Sequence, residues 1–202
     1  MTTLAELFGR DITPEAKDRN SPRIATLSAP IEPNTQKAHG QYEADVFNFL
    51  LANKEPLGIK AVMKFTALLV DGAIELIDGR RLTVEVKYRM NWEKACQSEW
   101  QFRTFMKRTD VRPFPVDGGV VVFEEFSGDW VRQAARRLLE NGWSQWYRGH
   151  AEVDGVRVDL LRLRDGKLEG FPIADPIVEK IKTLPEEEAS KVLTTLAKKG
   201  GG

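Results

Sequence analysis

The chain has 202 residues, 42% of them hydrophobic, which is enough for one sizeable core and a small appendage. Its 30 basic and 30 acidic residues cancel, so no global field draws it toward phosphate, and any nucleic-acid surface has to be a local patch. The single cysteine, Cys96, excludes an internal disulfide and lacks zinc-site spacing to other ligands. No apolar run approaches the ~20 residues of a membrane span, and none at the N-terminus has signal-peptide character; together these predict a cytoplasmic protein with no membrane partner.

In chain order, residues 1–39 hold four of the ten prolines among Ser, Thr, Asn and mixed charge, which predicts a mostly irregular arm. After Gly40, the spacing of Val46, Phe49 and Leu50 predicts a first helix running to about Asn53. The pattern is strand-like from Gly58 to Val70 and again over 73–77, and Asp78-Gly79 is a two-residue hairpin signal leading into 82–87. Residues 91–107 lack Gly and Pro and place Trp92, Cys96, Phe102 and Phe105 among polar residues, predicting a long helix with Asn91 as N-cap and Cys96 as a buried thiol.

Further on, residues 118–123 read as a buried-type strand and 129–140 as an amphipathic helix closed by Asn141-Gly142. Alternation punctuated by two Asp-Gly turns predicts a small β-meander over 153–168. A last helix over 185–199 starts with Glu186-Glu187-Glu188 and ends with Lys198-Lys199, charges that suit its dipole, and Gly200 to Gly202 are expected to be disordered. The organisation is thus an arm (1–39), an α/β core with a central mixed sheet flanked by helices (40–148), a meander extension (149–184), and a C-terminal helix with a glycine tail (185–202).

Chemistry concentrates on one predicted strand. Glu85 and Lys87 are two residues apart, so both leave the same face while Val84 and Val86 enter the core on the other. A hairpin turning at Asp78-Gly79 brings Asp71 roughly alongside Lys87 and within reach of Glu85. Two hard carboxylate ligands beside a cation suit phosphodiester hydrolysis, with Asp71 and Glu85 holding Mg²⁺, or Mn²⁺ as substitute, and Lys87 orienting or activating the water. The tripeptide spacing alone is common: Glu15-Ala16-Lys17 and Asp165-Gly166-Lys167 share it, but the first lies in the irregular arm and the second in a turn.

Val70-Asp71-Gly72 through Val84-Glu85-Val86-Lys87, in an order of helix, three strands, helix and further strand, resembles the PD-(D/E)xK nuclease superfamily over roughly residues 40–123. The resemblance implies a restriction-endonuclease-like core and metal-dependent hydrolysis of DNA. It also implies Glu43, in Gly40-Gln41-Tyr42-Glu43, as an extra metal ligand, and Gln97 or Gln101, one turn apart on the helix after Lys87, as the glutamine many members place beside the site. No proline precedes Asp71, and Gln97-Ser98-Glu99-Trp100-Gln101 is not the Gln-x-x-x-Tyr of one branch. Such families often pair two sites, which implies a homodimer or a subunit of a larger complex.

Blander readings compete at each residue. Asp71 also reads as a turn aspartate before glycine, Glu85 and Lys87 as a solvated ion pair, Glu43 as an acid favoured near a helix N-terminus, and the two glutamines as a wet helix face. His39 and His150 have no partner at metal-ligand spacing, and Trp100, Trp130, Trp143, Trp146 and Tyr147 fit core packing better than base stacking. Among the basic clusters, Arg81 and Arg89 flank the site and are the expected phosphate contacts. A catalytically inactive binding or scaffold subunit with the same fold, and a nuclease acting on RNA, are the rival functions.

Overall fold

A computed structural model describes residues 23–109, 112, 114–126, 149–170, 180, 181 and 183–199. The expected helix over 129–140, the aromatic run at 143–147, Trp130 and the glycine tail lie outside them.

The described residues form an α/β fold built on one mixed, open, eight-stranded sheet. The elements are β1 (Arg23–Thr26), α1 (Ala38–Ala52), β2 (Ile59–Thr66), β3 (Gly72–Leu76), β4 (Arg81–Met90), α2 (Trp92–Lys107), β5 (Gly118–Phe126), β6 (His150–Val153), β7 (Val156–Arg164), β8 (Lys167–Gly170) and α3 (Glu186–Lys199). Strand order is β1-β2-β3-β4-β5-β7-β6, with β8 also pairing β7. The first four strands are antiparallel, and β4-β5-β7 are parallel.

Strand alternation sorts the core into two layers. Val62, Ile74, Val84, Val86, Val120 and Val122 face α1, where Val46, Phe47 and Leu50 meet them. Met63, Phe65, Val121, Phe123 and Leu160 face Phe102 and Phe105 of α2 and Ala189 and Leu193 of α3. Strands buried on both faces read as continuous apolar runs, which is why Gly118–Phe123 shows no alternation. Each fully buried Phe or Met contributes on the order of 2 kcal/mol. Asn91 caps α2 as its sequence predicts, its side chain accepting from Lys94 N at 2.8 Å.

Three features differ from the sequence reading. The arm is not wholly irregular: Arg23–Thr26 pairs antiparallel with β2 at the sheet edge. The 153–168 segment forms its two hairpins, but β7 also pairs parallel with β5, so it continues the central sheet. The third concerns the hairpin between β3 and β4. Leu76 N donates to Arg80 O and Gly79 N to Leu76 O, with Gly79 at φ 90°, which makes a three-residue loop of Ile77, Asp78 and Gly79. Against a two-residue turn, which would set Asp71 opposite Val86 and next to Lys87, this slips the register by one, pairing Gly72 with Val84 and setting Asp71 level with Glu85.

Candidate active site

The candidate residues gather where β3 begins. β2 ends at Thr66, and the chain turns through residues 67–71, entering the loop at Ala67 with a left-handed φ of 58°. Asp71 then enters the sheet: its N–H donates to Val84 O at 3.1 Å, and its carbonyl accepts from Phe65 N–H at 2.9 Å. Its carboxylate Oδ2 accepts from Val86 N–H at 2.7 Å, taking the place of the backbone acceptor that β3, starting only at Gly72, does not supply. The turn-aspartate reading is therefore partly right, since Asp71 caps a ladder, but one carboxylate oxygen, Oδ1, is left over for other work.

Gly72 makes this approach feasible. A Cβ there would lie 2.3 Å from Met63 O and 2.6 Å from the Phe47 ring, so only glycine admits the ring of α1 over the start of β3.

Glu85 and Lys87 leave β4 on the α2 face, opposite Val84 and Val86. The Glu85 side chain is 2% exposed and its Oε1 accepts from Lys87 Nζ at 2.5 Å, while Oε2 is buried without any hydrogen-bond partner. This is not a solvated strand face. Lys87 Nζ also donates to Gln101 Oε1 at 3.1 Å, and Gln101 Nε2 donates to Leu69 O at 2.9 Å. The glutamine that reaches Lys87 is thus Gln101; Gln97, the other candidate, is exposed on α2.

Burial first, then the charge of Asp71, raises the Glu85 carboxyl from 4.5 to about 7, outweighing Lys87 and Gln101, which both lower it. Burial and then the charge of Glu43 also raise Asp71, outweighing the Val86 hydrogen bond and the charges of Lys64 and Lys87. Two neighbouring buried carboxyls, both raised, with Asp71 among the causes at Glu85, make an arrangement that a cation would relax.

Glu43 is buried on α1, on the other face of the sheet, and its carboxylate is engaged by Lys64 of β2, with His39 Nδ1 4.0 Å away. Lys64 escaped the sequence reading; its signal is a charged residue on the apolar face that Val62 begins. Among the described residues no three His, Cys, Asp or Glu side chains stand together as a ready metal cluster.

Arg81 is not at the site. It lies at the far end of β4, about 20 Å from Lys87 along the strand, where it pairs with buried Glu75 at 3.2 Å and covers the Phe114 ring. Glu75 also takes Lys60 at 2.7 Å; against the burial that raises it, these two cations hold its carboxyl below the ordinary range. Arg89 is at the site end, exposed, and paired with Glu125 at 2.7 Å. Cys96 is half-buried.

No helix of the described residues is long and apolar enough to cross a membrane. No family model, no curated protein and no solved structure matches the chain.

Proposed function

We propose that the chain is a metal-dependent nuclease that hydrolyses DNA phosphodiester bonds at a PD-(D/E)xK-type site. The observation that carries this reading is the buried, unpartnered Oε2 of Glu85, whose carboxyl burial and the charge of Asp71 raise, flanked by Lys87. Support also comes from the order helix, three antiparallel strands, helix and parallel strand, the arrangement a restriction-endonuclease-like core requires.

The donor set fits Mg²⁺ or Mn²⁺. Mg²⁺ is commonly held by one or two carboxylates and completes its shell with water and substrate phosphate, so Asp71 and Glu85 suffice. The bound ion would supply charge compensation for the two carboxylates and Lewis acidity toward a phosphoryl oxygen.

The chain's own groups do the positioning. Val86 N–H fixes the Asp71 carboxylate. Gln101 ties Lys87 to the loop carbonyl of Leu69, so the ammonium is held in one place with two of its three donors used. The third donor serves the attacking water or a phosphate oxygen. Arg89, whose Glu125 partner is exposed, is the phosphate contact at this end of the sheet.

The test is cleavage of labelled linear, circular and single-stranded DNA in Mg²⁺, Mn²⁺ and EDTA, with Glu85→Ala and Lys87→Ala beside the wild type. Metal-dependent cutting that both variants lose is the expected result. DNA bound but left uncut under every condition would overturn the assignment.

One observation favours a second reading. Glu43 and Glu85 each already carry a lysine, as in a charge-balanced fold that does no chemistry. On that reading the chain is a binding or scaffold subunit, and the same two variants bind DNA as the wild type does. RNA in the same assay separates a ribonuclease, which would use identical groups.

A further inference from the structure

On the α1 face of the sheet the buried charge is the Glu43–Lys64 pair, joining α1 to β2. Lys64 Nζ engages the Glu43 carboxylate and donates to two main-chain carbonyls, Phe65 O at 3.1 Å and Asp71 O at 3.2 Å. The ammonium also lies 5.0 Å from the centroid of the Phe47 ring, whose edge packs on Gly72. A carboxylate and two carbonyl oxygens converging on one positive charge are the ligand set of a hard cation, and here an ammonium fills it. All three ammonium donors have an acceptor.

We propose that Lys64 is the resident cation of the Glu43 position. Glu43 is its counter-ion, and through Lys64 it positions the Asp71 main chain; Glu43 is not a third ligand of the metal. Only that last clause rests on the nuclease reading.

Two arguments carry the proposal. A divalent ion at Glu43 would have to share a carboxylate with an ammonium already in contact, or expel Lys64 and release both carbonyls it holds. Access is not the obstacle, because a small cleft of about 30 Å³, room for a water-sized ion, opens on the pair beside Ile31, Asn34 and Gly40. The path from α1 to the site also needs such a link. Asp71 follows a loop with left-handed Ala67, and Lys64 is the charged side chain that grips its carbonyl.

The test has two arms on the full chain. In EDTA, urea unfolding of Glu43→Gln, Lys64→Met and the double variant gives a coupling cycle. Each single change is expected to raise the unfolding equilibrium constant on the order of a hundredfold, and the double change no further, because a lone buried charge is worse than none. A double variant that folds when one single variant does not has the same meaning. Additive losses overturn the pairing.

In the second arm, Mn²⁺ binding is followed by electron paramagnetic resonance without DNA. Glu43→Gln is expected within about threefold of the wild type, with Asp71→Asn and Glu85→Gln weakened at least tenfold. A tenfold loss in Glu43→Gln would make Glu43 a ligand and overturn the proposal. A wild type that binds no Mn²⁺ sinks the metal reading instead, and the unfolding cycle alone then decides the role of Lys64.

Discussion

Glu85 carries its charge at a thermodynamic penalty. With its carboxyl raised from 4.5 to about 7 by burial and by Asp71, the folded chain binds that proton more tightly than the unfolded one. The sign follows: the contribution to stability is fully present below about pH 4.5, shrinks as pH rises through 7, and is gone above it. Glu85→Gln keeps the shape and an acceptor for Lys87 while removing the charge. In EDTA it is expected to stabilise the fold by about 2–3 kcal/mol at pH 8 and hardly at all at pH 5, measured by urea unfolding. Equal effects at both pH values would show that the carboxyl is not under this load. Gln101 makes a complementary case. Gln101→Ala frees Lys87 from Leu69 O and is expected to slow cleavage by about 10–100-fold with Mn²⁺ binding unchanged; an unaltered rate would mean Glu85 alone holds the lysine. That a glutamine of the helix after Lys87 comes beside it was legible in the sequence, but which of the two was not. Gln97 and Gln101 share a helix face, and the choice between them is set by the Leu69 loop, whose path no local pattern encodes.

For the strands, the face of Glu85 and Lys87 followed from period two and two flanking valines, and so did the pairing that brings Asp71 near. The register did not. Asp-Gly serves both a two-residue turn and a three-residue loop with glycine in the left-handed region, and the two differ by one residue. The short edge strand β1 was hidden because three of its four residues are exposed and leave no alternation to read. Gly72 and Gly79 separate packing from conformation at this hairpin. Alanine at Gly79 meets open space and costs only its positive φ, about 1–2 kcal/mol. Alanine at Gly72 strikes the carbonyl of Met63, which cannot swing aside, and is expected to cost about 3 kcal/mol and to displace Asp71 as well. Thermal unfolding of both variants checks the order; a milder effect at Gly72 would mean that Phe47 and β2 yield.

Across the whole molecule, the parallel β4-β5-β7 pairing joins segments whose contact no local signal announces, which is why the last hairpins read as an appendage. The same long-range pairing puts Glu85 in the middle of the sheet, so its charge state bears on global stability, and on the proposed function a metal held there would be linked to folding. Mg²⁺ at about a hundred times its dissociation constant stabilises a one-site protein by about 2.7 kcal/mol, or about 5–10 °C in Tm at this size. Protons compete for the same carboxyl. At pH 6, one unit below the Glu85 value of about 7, roughly nine-tenths of the sites are protonated, and the apparent affinity falls about tenfold. At the same Mg²⁺ concentration the gain should then shrink to about 1.4 kcal/mol, or about 3–5 °C. The Tm shift on adding Mg²⁺ should therefore be about twice as large at pH 8 as at pH 6 and fall by at least half in Glu85→Gln. A shift that ignores pH, or is undiminished by that substitution, would place the ion elsewhere on the surface and leave Glu85 a buried carboxyl with no metal to relieve it.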